Sequence, residues 1–148
     1  MALAIVNIGS NLGDRKKHLL QAISCIGEMF GTCCLSDFIE SEPWGFGSDN
    51  KFMNVGVSFH TDFSPEKLLS HLQAIEKKIS GIAHRDKYGN YKDREIDIDI
   101  MAIDEIVYHS DILDVPHLHL SERDFFLQPL YQLKPDWKNP RIQVNQKA

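Results

Sequence analysis

The stretch Arg94-Glu95-Ile96-Asp97-Ile98-Asp99-Ile100-Met101 decides the fold. Isoleucine alternates with acid over a period of two, the pattern of a half-buried β-strand. That period places Glu95, Asp97 and Asp99 on one face and Ile96, Ile98 and Ile100 on the other. Asp97 and Asp99 then stand roughly 7 Å apart along the strand. At an effective dielectric of ~20 two such charges repel by about 2 kcal/mol, and Asp is depleted in strands. A divalent cation would repay the cost, since paired carboxylates are the usual protein share of a magnesium site that also binds phosphates. Arg94 stands one step away and can reach the same phosphates. A solvated acidic face protecting an edge strand is the alternative reading.

Working outward, the N-terminal side opens with an apolar run, Leu3–Ile8, a buried strand. Gly9-Ser10-Asn11-Leu12-Gly13-Asp14 makes a strand-to-helix turn. Leu19, Ala22, Ile23, Ile26 and Phe30 fall on one helical face over residues 15–30, with Asp14 as N-cap. The turn lacks a Walker A or G-x-G-x-x-G pattern and carries an acid where a phosphate would sit, so it reads as structural or as a wall of the site. Cys33–Glu40 reads as a second strand. The Gly/Pro loop that follows holds Ser41, Glu42, Pro43 and Trp44, and loops of this length in compact domains are commonly binding loops. A third strand, Lys51–His60, places Phe52 and Asn54 on one face. An amide can pair with the donor and acceptor edge of a heterocycle, and an aromatic ring can stack on it.

Ser64-Pro65-Glu66 starts a second helix, with Leu68, Leu72, Ile75 and Ile79 toward the core and Gln73 and Glu76 together on another side. Residues 82–93 form a charged, turn-rich loop whose basic side chains can close over a polyphosphate. Beyond the acidic strand, Ile106-Val107-Tyr108 reads as its hairpin partner. Val115–Leu130 holds His117, His119, Arg123, Phe125 and Phe126 between Pro116 and Pro129. The tail from Lys134 reads as loosely held.

The chain has 148 residues, 43% hydrophobic and 25% charged, which suits one soluble domain spanning 1–148. A net charge of −5 argues against a general nucleic-acid binder. No membrane span or targeting segment is evident. Cys25, Cys33 and Cys34 lack metal-ligand spacing and read as reduced packing residues of a cytoplasmic protein.

Four blocks occur in order: the Gly9–Asp14 turn, Pro43-Trp44-Gly45 with Phe52-x-Asn54, Arg94-x-x-Asp97-x-Asp99-Ile100, and Val115-Pro116-His117 with Arg123-x-Phe125-x-Leu127-x-Pro129-Leu130. Together they resemble the 6-hydroxymethyl-7,8-dihydropterin pyrophosphokinase family of folate biosynthesis, over residues 3 to 133. The resemblance implies an α+β, ferredoxin-like sandwich with a mostly antiparallel sheet covered by helices. It implies transfer of the β,γ-diphosphate of ATP to the pterin hydroxymethyl group, with release of AMP. Asp97 and Asp99 would hold two Mg²⁺ ions, with Arg94 and Arg85 as catalytic cations. Phe52 and Phe125 would sandwich the pterin, Asn54 would read its edge, and Ser41, Glu42, Pro43 and Trp44 would line the pocket. Gln73, Glu76, Tyr91, Ile100, His117, Leu118 and Arg123 would contact the nucleotide. ATP and the hydroxymethyldihydropterin are the expected partners, in a monomer or weak homodimer without nucleic acid or membrane.

The chain departs from the family pattern at several places. Ile82 stands where the family usually has an arginine, and Arg85 is the candidate replacement through a register shift. Asp93 replaces a proline beside Arg94, Tyr91 a common tryptophan, and Ile112 a nucleotide-binding arginine of some members. A catalytically weak paralogue that binds pterin or nucleotide is therefore the alternative to an active transferase. A metal-dependent phosphohydrolase using the acid pair on water is a third reading, which leaves Phe52 and Asn54 unexplained.

Overall fold

The computed structural model describes residues 1–43, 50–80 and 95–142. Its elements run β1 (Ala2–Ser10), α1 (Arg15–Phe30), β2 (Cys33–Leu35), β3 (Ile39–Ser41), β4 (Phe52–Thr61), α2 (Pro65–Ser80), β5 (Asp97–Ile103), β6 (Tyr108–His109), β7 (Asp114–Val115) and α3 (Asp124–Leu133). The main sheet is ordered β2-β4-β1-β5, with β3 also on β4, and every pairing is antiparallel. Counted with β2 and β3 as one interrupted strand, this is the 2-3-1-4 order of a ferredoxin-like βαββαβ unit, as expected.

Strand parity sorts the core. Ala4, Val6 and Ile8 of β1, Val55 and Val57 of β4, and Ile98 and Ile100 of β5 turn to one face, under Leu19, Ala22 and Ile26 of α1 and Leu68, Leu72 and Ile75 of α2. The other face carries Ile5, Met101 and Ala102 beneath Phe126 and Leu130 of α3 and Trp137. Met101 and Ala102 both reach this second cluster because the β1–β5 register shifts between Ile5 and Val6. Helix starts follow the expected caps: Asp14 accepts from the Lys17 amide at 3.1 Å and Ser64 Oγ from the Lys67 amide at 3.3 Å. At the end of α1, Gly31 takes a φ of 85°, open to glycine without strain.

The structure corrects several expectations. The Cys33–Glu40 strand is broken at Ser36, whose hydroxyl accepts from the Gly56 amide and donates to the Asp37 carbonyl. That side chain takes over the ladder, and the Asp37 amide turns to Gln132 of α3. The Ile106-Val107-Tyr108 hairpin does not form against β5. Asp104 bonds back to Leu3 through backbone and side chain, Ile106 and Val107 are exposed, and Tyr108 pairs with Val115 instead. The β5 strand begins at Asp97 rather than Arg94, which lies outside the described residues. The tail is held as far as Ile142: Trp137 is buried edge-on to Tyr131, and Arg141 donates to the Pro116 carbonyl at 2.8 Å. All three cysteines are free thiols, but Cys34 is exposed rather than packed.

Helix α3 lies close on the sheet because Gly56 admits it. A Cβ on Gly56 would sit 2.6 Å from Pro129 Cβ and 3.1 Å from Leu133 Cδ1. Gly56→Ala is therefore expected to lift α3 and cost about 1–3 kcal/mol of stability. Urea unfolding of the variant measures it.

Candidate active site

The register of β1 assembles the site. Gly9 pairs with Asn54 on one side and Asp97 on the other, and Asn7 pairs with Gly56 and Asp99. Asn54, Phe52, Asp97 and Asp99 therefore share the face of the sheet covered by α3, with β1 between the aromatic–amide group and the acids. At ordinary strand spacing the Asn54 and Asp97 backbones stand about 10 Å apart. Gly9 keeps the ground between them clear: a Cβ there would meet Asn54 Oδ1 at 3.0 Å and Phe52 Cδ1 at 3.3 Å.

On the β4 side, Phe52 and Asn54 are buried and Ser41 is half-buried. The Asn54 amide is held at both ends. Its Nδ2 donates to Ser41 Oγ at 2.8 Å, and its Oδ1 accepts from Asn7 Nδ2 at 3.2 Å. Glu42 is exposed and Pro43 half-buried beyond the end of β3. Phe125 is half-buried at the start of α3, edge-on to the buried Phe126. The buried Arg123 guanidinium lies 4.8 Å from the Phe126 centroid and 5.7 Å from that of Phe125.

On the β5 side, Asp97 and Asp99 are half-buried while Ile98 and Ile100 fill the opposite face. Since β5 is a sheet edge, its outward amides need cover. Glu76 of α2 supplies it, accepting from the Ile98 amide at 2.6 Å. Burial, then the charge of Asp97, push the Glu76 carboxyl up to about 9 against the lowering effect of the Ile98 amide. At neutral pH it is a neutral acid hydrogen-bonded to Asp97, so it adds no third negative charge to the pair. Gln73, its expected companion, is exposed on α2.

His117 completes this end. Burial, then the Arg123 charge, lower its pKa to about 4, so the ring is neutral. The His119 amide donates to His117 Nδ1 at 3.1 Å, which leaves the proton on Nε2, 4.0 Å from Asp99 Oδ1. Its ring stands edge-on to Phe126 at 5.0 Å. A cleft of about 270 Å³ opens here at the β5 edge, lined by Ile98, Asp99, Ile100, His117 and Leu118 among others. Ile112 and Leu118 are well exposed at its rim.

Trp44, Arg85, Tyr91 and Arg94 fall outside the described residues. Among the described residues no group of three or more His, Cys, Asp or Glu could hold a metal. The acid pair alone still fits a hard cation: two carboxylates share one face, and Glu76 is neutral beside them. Asn7 was not singled out from the sequence, and Gly9, read there as the start of the turn, lies instead within β1. Asn7 had a signal, as the polar residue within the apolar run 3–8; the importance of Gly9 shows only when β4 and β5 are paired on either side of it.

Residues 5–135 match the sequence model of the family described as 7,8-dihydro-6-hydroxymethylpterin-pyrophosphokinase. The 2-amino-4-hydroxy-6-hydroxymethyldihydropteridine pyrophosphokinase of Aquifex aeolicus is 36% identical over 140 residues, covering 95% of this chain and 85% of its own. That of Porphyromonas gingivalis is 38% identical over 144 residues, 95% of each chain. Among solved structures, the Plasmodium falciparum HPPK-DHPS with pteroate superimposes with a TM-score of 0.71 at 14% identity. The match covers 99% of this chain and 44% of that one, and at this identity speaks for the fold.

Glu76 gives the metal-free protein a pH dependence. Below its ordinary value of 4.5 the carboxyl is protonated in both folded and unfolded chains; from there to about 9 only the folded chain keeps the proton. Its contribution to stability is thus full at the acid end and is lost as pH rises through that window. Glu76→Gln can keep both hydrogen bonds with no proton to lose. Its thermal unfolding is expected to vary less between the two ends of the window than that of the wild type.

Proposed function

The chain belongs to the 7,8-dihydro-6-hydroxymethylpterin-pyrophosphokinase family, and we propose that it transfers the β,γ-diphosphate of ATP to the hydroxymethyl oxygen of 6-hydroxymethyl-7,8-dihydropterin, releasing AMP. The observation that carries this reading is the face shared by Phe52, Asn54, Asp97 and Asp99 across Gly9. One end reads a flat heterocycle; the other handles phosphate charge. The activity belongs to folate biosynthesis, the process for which the Schizosaccharomyces pombe relative "Folic acid synthesis protein fol1" is named.

In the proposed mechanism the pterin lies between Phe52 and Phe125, with its polar edge on Asn54 and on the chain at Ser41, Glu42, Pro43 and Trp44. The nucleotide occupies the cleft over Ile100, against His117, Leu118 and Arg123, with Gln73, Glu76 and Tyr91 nearby. Neutral His117 can donate through Nε2 to a phosphate oxygen without drawing a proton from the acids. Asp97 and Asp99 would hold two Mg²⁺ ions, which when bound neutralise phosphate charge and align the β-phosphorus with the incoming oxygen. Arg94 and Arg85 supply further positive charge. The protein's share is alignment and charge, and no side-chain nucleophile is needed.

No helix of the described residues is long and apolar enough to cross a membrane. The reading takes the chain as a single cytoplasmic domain over 1–148, monomeric or weakly dimeric.

Purified protein with Mg²⁺, ATP and the hydroxymethyldihydropterin is expected to form AMP, and to form none when pterin or Mg²⁺ is left out. AMP or phosphate release without pterin would overturn the transferase. Asp97→Asn and Asp99→Asn are each expected to slow the rate by about a hundredfold or more. Their metal-free stability should change little, because repulsion is relieved. Arg85→Ala is expected to slow turnover as well, and a wild-type rate would remove Arg85 from the mechanism.

A further inference from the structure

We infer that Asn7 is a positioning residue for the pterin-reading amide: it sets which edge Asn54 turns toward the heterocycle. The inference rests on the pterin reading proposed above and adds to it a residue on a different strand.

Asn7 lies on β1, between β4 and β5, and is 2% exposed. Its neighbours in the strand, Ile5, Val6 and Ile8, are apolar and equally buried. Stability alone does not ask for an amide there. Its Oδ1 is buried without a hydrogen-bond partner among the described residues, a condition that costs about 1–3 kcal/mol. What the amide does make is one bond, from Nδ2 to Asn54 Oδ1 at 3.2 Å. A costly buried polar group whose bond goes to a substrate-reading side chain points to function.

The donor and acceptor count shows what that bond decides. The Asn54 side chain has two lone pairs on Oδ1 and two hydrogens on Nδ2. Asn7 uses one lone pair, and Ser41 Oγ takes one hydrogen. One acceptor and one donor remain on the same planar group, the pair that a lactam or cyclic amidine edge requires. The Ser41 hydroxyl can donate as well as accept, so it does not choose between the two orientations of Asn54. Asn7 does choose: a half-turn of Asn54 alone would set Nδ2 against Nδ2. The two amides can turn only together, so the donor–acceptor order that Asn54 presents is tied to the orientation of Asn7. The pocket thereby presents a coupled pair instead of an independently flipping amide.

The test is a double-mutant cycle of Asn7→Leu, which keeps side-chain size, with Asn54→Ala. Dissociation constants for the pterin and for ATP, and thermal stability, are measured for all four proteins. Asn7→Leu is expected to weaken pterin binding by about three- to tenfold, to leave ATP binding unchanged and to keep or raise the melting temperature. In the Asn54→Ala background it should change pterin binding no further. An unchanged pterin constant, an equal loss in the Asn54→Ala background, or an equal loss of ATP binding would overturn the inference. Asn7→Ala, which removes the same donor, is expected to weaken pterin binding to a similar extent and stands in if the leucine variant does not fold. Hydrogen exchange of the Asn54 side-chain amide in the ligand-free protein reads the pairing without any pterin. Faster exchange in Asn7→Leu supports it, and an equal rate overturns it. Wild-type protein that binds no pterin while passing the exchange test would instead remove the proposed substrate.

Discussion

The structure depends on the pairing of β1 with β4 on one side and β5 on the other. The three strands are far apart in sequence, at Ala2–Ser10, Phe52–Thr61 and Asp97–Ile103. Antiparallel registry converts them into rows: Asn54–Gly9–Asp97 and Gly56–Asn7–Asp99. A slip of one residue in either pairing would turn the acids or the amide to the opposite face. The apolar residues prevent it. Val6, Ile8, Val55, Val57, Ile98 and Ile100 must all meet α1 and α2, and that requirement sends every alternate residue to the α3 face. The core is thus what aims the site.

The two ends of the site solve different physical problems. Around Asn54 the need is direction, met by neutral hydrogen bonds to Ser41 and Asn7 in a buried setting. Around Asp97 and Asp99 the need is negative charge without excess. Glu76 covers the β5 edge as a neutral acid, and His117 stays uncharged beside Asp99. Burial accounts first for both shifts, so two ionisable groups close to the acids leave their charge unaltered at neutral pH.

Glycine and serine decide the packing around these groups. Gly9 leaves room for Asn54 and Phe52 to lean across β1, and Gly56 lets Pro129 settle on β4. Ser36 ends β2 early by bonding the Gly56 amide, which brings β3 in as a separate short strand with Ser41 opposite Phe52. These are small residues with large consequences for where Phe125, Ser41 and Asn54 end up.

The sequence by itself determined the period-two strand of Asp97 and Asp99, the spans of α1 and α2 with their caps, the Phe52/Asn54 face of β4 and the family. Each is written in local periodicity or in an ordered set of motifs, which one stretch of chain carries without help from another. Only the tertiary structure decided the strand order, the break at Ser36, the pairing of Tyr108 with Val115, the burial of Trp137, the neutrality of Glu76 and His117, and the Asn7–Asn54 bond. These arise from contacts between residues distant in sequence, such as the 47 positions between Asn7 and Asn54. Burial and hydrogen-bond partners are properties of the assembled sheet and its helices, and no local pattern encodes them.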